Sequence, residues 1–121
     1  MTRSQLANST QKTHLRMASS ADFIDSVCQT LAPLGDVRPR RMMGDYIIYL
    51  NEKCVATACD DLLYVKMLPC IADLMASAEI GRPYDGAKEH YILDLSHPTL
   101  ARTVIATLWE HLPFPKRRSK A

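Results

Sequence analysis

Between residues 46 and 67 the hydrophobic pattern consists of three short runs of β-forming residues. The runs cover residues 46–50, 54–59 and 62–67, and only two or three polar residues separate one from the next. Short runs of β-branched, aromatic and other apolar residues with such tight connections are typical of an antiparallel meander. The sequence therefore predicts three antiparallel strands at the centre of the chain.

A helical pattern precedes these strands. Apolar residues between Phe23 and Leu31 recur with the spacing of one face of an α-helix. Ser19 or Ser20 is a suitable N-cap, and Pro33 ends the pattern. A helix is therefore predicted from about residue 20 to residue 31.

Three further elements are predicted after the meander. Pro69 suits the first turn of a short helix, and residues 91–95 have the composition of a further strand. Ser96 is the expected N-cap of a last helix, whose apolar positions recur from residue 100 to residue 112. The predicted order of elements is α-β-β-β-α-β-α.

This order predicts an α+β two-layer sandwich, in which an antiparallel β-meander and a further strand pack against helices. The small side chains of Ala56 and Ala58 leave room for a helix to cross the middle strand. The predicted core comprises Phe23, Ile24, Val27, Leu31, Ile48, Val65, Leu74, Val104, Ile105 and Leu108.

The length of 121 residues fits one domain, here residues 19–112, with a mobile leader at 1–18 and a basic tail at 113–121. Residues 20–112 hold eight basic and 13 acidic residues, a net charge of −5, whereas both ends are basic. No run approaches the roughly 20 apolar residues that cross a bilayer. No secretory signal is visible either, so we expect a cytoplasmic protein without membrane contact.

The cysteine and histidine patterns indicate neither a metal site nor a catalytic centre. The four cysteines form no Cys-x-x-Cys pair. The odd separation of Cys54 and Cys59 predicts opposite faces of one strand. No histidine stands beside a cysteine or serine in a recognisable nucleophile setting, and no glycine-rich phosphate loop is present. We therefore predict reduced thiols, no metal, no cofactor and no enzymatic activity.

Arg38, Arg40 and Arg41 form the densest polar cluster inside the predicted domain, between the first helix and the first strand. Guanidinium groups bind carboxylates and other anions through paired hydrogen bonds, so the cluster is a candidate contact for an anion or a partner. Alternatively, the three side chains pair with neighbouring acids such as Asp36 and Asp45.

The segment 40–50, with the sequence RRMMGDYIIYL, resembles the R-x-M-F-G-G-Y-G-L-Y motif in the N-terminal domain of the TfoX/Sxy competence-regulator family. Residues 58–66 are similar to the family's DD-x-L-Y-L-K strand. Met43 replaces the motif's phenylalanine, and Asp45 and Ile47 replace two of its glycines. The resemblance covers residues 18–112, and its motif positions here are Met42, Gly44, Tyr46, Tyr49, Tyr64, Lys66 and Trp109.

The resemblance implies a non-enzymatic regulatory or interaction domain. Members of the family act as transcriptional co-regulators with the catabolite activator protein, so the implied partner belongs to the transcription machinery. The full-length regulators carry a second, C-terminal helical domain, and the matched segment of this chain corresponds to the N-terminal domain. The alternative is a small-ligand-binding or enzymatic module that uses Arg38, Arg40 and Arg41. A homodimer is also expected, because a short sheet with helices on one side leaves an edge or face open.

Nucleic-acid binding, if present, is expected to be weak and electrostatic. Contact is expected mainly through the tail residues Lys116, Arg117, Arg118 and Lys120. Neutralising four phosphates gives a slope of about −3.6 in a plot of log affinity against log salt, at ~0.9 per phosphate. Deleting residues 116–121 should abolish the binding in a filter or anisotropy assay. Salt-resistant, sequence-selective binding that survives this deletion would contradict the prediction.

Overall fold

The central meander belongs to a six-stranded antiparallel sheet in the computed structural model, which describes residues 20–42 and 44–115. The strands lie in the order β1-β2-β3-β4-β6-β5 across the sheet. Two α-helices pack against one of its faces, as the predicted α+β arrangement requires. Within the described ranges the α-helices and strands are α1 (Ala21–Leu31), β1 (Val37–Met42), β2 (Asp45–Leu50), β3 (Lys53–Cys59), β4 (Leu62–Lys66), β5 (Ile80–Gly81), β6 (His90–Leu93) and α2 (Pro98–His111).

Helix α1 forms where its apolar spacing predicts it. The Ser20 hydroxyl accepts a hydrogen bond of 3.1 Å from the backbone N–H of Phe23, which satisfies one of the unpaired donors of the first turn. Ile24, Val27 and Leu31 are buried. A short 3₁₀ turn, 32–34, continues the helix before the chain enters the sheet.

The arginine-containing segment forms strand β1. This corrects the prediction that it is a connection between the first helix and the first strand. β1 pairs antiparallel with β2 along its whole length, from Val37 opposite Leu50 to Met42 opposite Asp45. Five of its six residues are exposed, because β1 is an edge strand. An exposed edge strand carries no alternating apolar pattern, and Pro39 further weakens the sequence signal for a strand.

Two other local predictions also need correction. The helix expected after Pro69 is a single 3₁₀ turn, Pro69–Ile71, followed by turns that lead to β5. The backbone N–H of Ile92 donates to the carbonyl of Glu79, which holds this returning segment beside β6. Ser96 does not cap α2, because its hydroxyl donates to Asp94, and His97 occupies the N-cap position.

The core lies between the helices and one face of the sheet. Eight of the ten predicted core residues are buried, and the other two, Phe23 and Leu74, are partly buried against the same cluster. Burial of a large apolar side chain contributes about 1.5–3 kcal/mol, so this cluster dominates the stability of the fold. The two-layer α+β prediction is confirmed.

Ala58 tests the size constraint on the middle strand, because it is fully buried on the side of the helices. Replacing it with leucine adds three carbons to a packed core and should lower the free energy of unfolding by about 1–3 kcal/mol. Thr57→Leu is the matched control, since Thr57 is only half-buried on the other face of the same strand. Chemical denaturation measures both, and equal effects would contradict the packing argument.

Candidate functional site

The two faces of the sheet are unlike each other. On the face covered by the helices, Ile48 and its neighbour Ala56 are buried in the core. Residues that alternate with these point to the opposite side, which we call the open face. By register, Arg38 lies opposite Tyr49 and Arg40 opposite Ile47 on this open face.

The three arginines of β1, which we call the arginine row, divide between the two sides of the edge. Arg38 and Arg40 share the open face, whereas Arg41 lies on the helix side, with its guanidinium carbon 6.0 Å from the centre of the Tyr46 ring. All three are exposed. The fold therefore presents three positive charges along one accessible strand.

The predicted pairing with neighbouring acids is found for one arginine. Arg38 Nε donates to Asp36 Oδ2 at 2.9 Å, and both side chains are well exposed. Within residues 20–42 and 44–115, Arg40 and Arg41 have no carboxylate within ion-pair distance, and Asp45 pairs with neither. The row thus retains uncompensated positive charge.

A cavity of about 420 Å³ lies beside the arginine row. Tyr49 supplies an aromatic ring and a hydroxyl group to its wall, which allows both apolar contact and hydrogen bonding. The lining residues are Asp36, Arg38, Pro39, Arg40, Tyr49 and Glu52. Two guanidinium groups and two carboxylates thus line the cavity, and Arg40 is the lining cation that has no ion-pair partner among the described residues.

The far part of the open face is more enclosed. Tyr64 on β4 is buried, and its ring meets His90 edge-on at 6.4 Å. The segment 82–89 connects β5 to β6, and its Pro83 and Ala87 are buried. The open face is therefore more enclosed around Tyr64 than along the exposed edge strand β1.

A bulge in β3 changes the expected placement of the cysteines. Ile48 lies opposite Ala56 and the adjacent Tyr49 lies opposite Cys54, so Val55 is an extra residue. This insertion puts Cys54 and Cys59 on the same face, and the prediction of opposite faces is wrong. Five residues of strand still separate them, about 15 Å, which is too far for one metal or a disulfide. The part of the chain that the structure describes holds no cluster of three potential metal ligands.

Trp109 binds the end of α2 to the sheet. Its indole N–H donates to the carbonyl of Leu50 at 2.7 Å. Lys53 Nζ donates to the carbonyl of Trp109 at 2.7 Å and lies 3.7 Å from the centre of the indole ring, while the Phe114 ring is 4.8 Å from the ammonium. Sequence reasoning missed Lys53, since nothing local marks a lysine beside a turn as buried. Trp109 thus has a structural role away from the arginine row.

The remaining motif positions have separate roles. Met42 is exposed at the end of β1, and Lys66 is exposed at the end of β4 on the open face. Gly44 precedes β2 with a φ of 90°, a conformation that favours glycine, and a side chain there would meet open space. Met43 and the basic tail residues Lys116, Arg117, Arg118 and Lys120 lie outside the described residues, as does the predicted leader.

The pKa of the Cys54 thiol reflects burial and charge on the open face. Although the residue is exposed, desolvation of its thiol raises the pKa, and the nearby Lys66 ammonium partly offsets this by lowering it. The raised pKa leaves less reactive thiolate at neutral pH.

We therefore expect iodoacetamide to modify Cys54 more slowly at pH 8 than it modifies free cysteine. Lys66→Gln removes the stabilising charge, so it should raise the pKa of Cys54 further and slow the reaction more. Mass spectrometry of the Cys54 peptide against pH measures this, with Lys88→Gln as a control of equal charge change. An unaltered pH profile for Lys66→Gln would contradict the assignment.

None of the helices in the described ranges is long and apolar enough to cross a membrane.

The TfoX N-terminal domain family matches residues 29–104, a range that includes the arginine row and the whole sheet. A relative from Spirochaeta aurantia, called an uncharacterized 12.7 kDa protein in the trpE 5′ region, is 31% identical over 104 residues, 84% of this chain and 90% of that protein. No solved structure gives a significant match. With more than half of its length matched, this chain belongs to the TfoX N-terminal domain family.

Proposed function

We propose that this chain is a non-enzymatic regulatory domain that acts by contacting a protein of the transcription machinery. Membership of the TfoX N-terminal domain family supports a regulatory role. The observation that carries the proposal of a contact surface is the arginine row, in which Arg40 and Arg41 are exposed and have no ion-pair partner among the described residues.

The surroundings of the row favour a macromolecular contact over binding of a small substrate. The arginines lie along an exposed edge and not at the base of an enclosed pocket. Side chains spread along about 10 Å of strand can meet more than one group of a partner at once. The alternative of a ligand-binding or enzymatic module at Arg38, Arg40 and Arg41 has less support.

A regulator of this kind acts in the cytoplasm, which is the location we propose. We also retain a homodimer as part of the proposal. Its interface is expected away from β1, since two arginine rows facing each other would repel. Any nucleic-acid contact is proposed to be weak and to depend on the basic tail.

Transcript profiling in the organism of origin tests the regulatory function. Deletion of the gene should alter the levels of a defined set of transcripts, and the wild-type gene should restore them. Arg40→Ala combined with Arg41→Ala should lose most of this restoration, because the row contacts the partner. Lys88→Ala is the control, since Lys88 is exposed in the segment 82–89 away from β1.

Two results would contradict the proposal. Unchanged transcripts after deletion would argue against regulation. If the double arginine variant fully restores the transcript levels, at protein levels equal to wild type, the arginine row is not needed for the function.

A further inference from the structure

We propose that the arginine row binds an extended acidic segment of a protein partner, with acidic residues at alternate positions. This inference rests on the proposed regulatory function and specifies the chemistry of its partner. The segment would lie along β1 on the open face, with one carboxylate in the cavity beside Arg40 and Tyr49.

The spacing of the row determines the spacing of the acids. Arg38 and Arg40 lie two residues apart on the same face of β1. Two residues of strand span about 7 Å, and every second side chain of an extended peptide shares a face with the same repeat. Carboxylates at positions i and i+2 can therefore meet successive guanidinium groups.

Charge determines which arginine contributes most. Asp36 already compensates Arg38 at 2.9 Å, whereas Arg40 has no acidic partner in the described ranges. A carboxylate arriving at Arg40 gains a charge-assisted hydrogen bond without displacing an existing pair. Tyr49 offers an aromatic surface and a hydroxyl donor beside it.

A second copy of this chain fits the edge poorly. Antiparallel pairing of two β1 strands would bring two arginine rows together, and like charges across a strand pair are destabilising. Pro39 also lacks the N–H that a complete ladder of backbone hydrogen bonds requires. Proline and charged residues are common means of protecting an edge strand from self-association. The side chains of the row, rather than backbone pairing, must therefore supply the affinity.

A nucleic-acid backbone is also a poorer fit than a short acidic peptide. Residues 20–115 carry eight basic and 13 acidic residues, a net charge of −5. Asp36, Asp45 and Glu52 flank the row, so an extended polyphosphate would meet repulsion on both sides of it. A peptide of about four residues with two carboxylates matches the length of the row and brings fewer negative charges near these acids than an extended polyphosphate does.

Fluorescence anisotropy with the full chain tests the inference directly. The probe is a fluorescein-labelled peptide of about four residues in which glutamate alternates with threonine, so that its two carboxylates match the spacing of Arg38 and Arg40. The wild-type chain should bind it, and the same peptide with glutamine in place of glutamate should not bind. Arg40→Glu should weaken binding by at least about fivefold, because it replaces the uncompensated positive charge with a negative one.

Lys88→Glu provides the matched control, because it makes the same charge change at an exposed site off β1 and should alter binding by less than about twofold. Thermal denaturation of each variant establishes that the fold is retained. Because Arg40 is exposed, its substitution should leave the melting temperature unchanged.

Several results would overturn the inference. Equal binding of the glutamine peptide would show that charge is not recognised. Loss of binding in Lys88→Glu equal to that in Arg40→Glu would show a general charge effect. If the wild-type chain binds a DNA duplex but not the acidic peptide, and Arg40→Glu abolishes the DNA binding, the ligand is a nucleic acid. If the wild-type chain does not bind the peptide but forms a dimer that Arg40→Glu dissociates, the partner at the row is a second copy of this chain.

The two proposals fail separately. If deletion of the gene alters transcripts but the acidic peptide does not bind, the regulatory function stands and the partner chemistry is wrong. If the peptide binds at Arg40 but transcripts do not change on deletion, the contact exists outside transcriptional regulation.

Discussion

Burial of one sheet face beneath α1 and α2 is the interaction on which the rest of the structure depends. Both helices of the described residues pack on one side, so successive residues of each strand point alternately into the core and to the opposite face. Trp109 and Lys53 hold the end of α2 against the β2–β3 turn through hydrogen bonds of 2.7 Å. The surface proposed for partner contact follows from this, because both helices of the described residues pack on the other face of the sheet.

The turn at Asn51 joins this packing to the edge strand. The backbone N–H of Asn51 donates to the carbonyl of Asp36, and the side-chain oxygen of Asn51 accepts from the N–H of Asp36, both at 2.9 Å. Asn51 is packed so closely against Gly35 that a β-carbon there would meet the amide. These contacts set the start of β1 and hence the register that places Arg38 and Arg40 on one face.

The arginine row carries uncompensated charge at low structural cost. Exposed arginines remain hydrated, so they need no buried partner, and Pro39 with its charged neighbours protects the edge from pairing with other strands. The same features that prevent self-association leave the edge available for an acidic partner. A structural and a functional role for these residues are therefore compatible.

The sequence by itself determined the class of fold, the meander, α1, α2 and most of the core, because apolar periodicity reflects burial on one face. Family motifs also identified the chain's relatives. The tertiary structure alone decided that the arginine segment is an edge strand, since an exposed edge has no periodic apolar signal. It also decided the common face of Cys54 and Cys59, because the bulge at Val55 depends on pairing between strands. The burial of Lys53 likewise required Trp109 from a helix 56 residues away, a contact that no local pattern encodes.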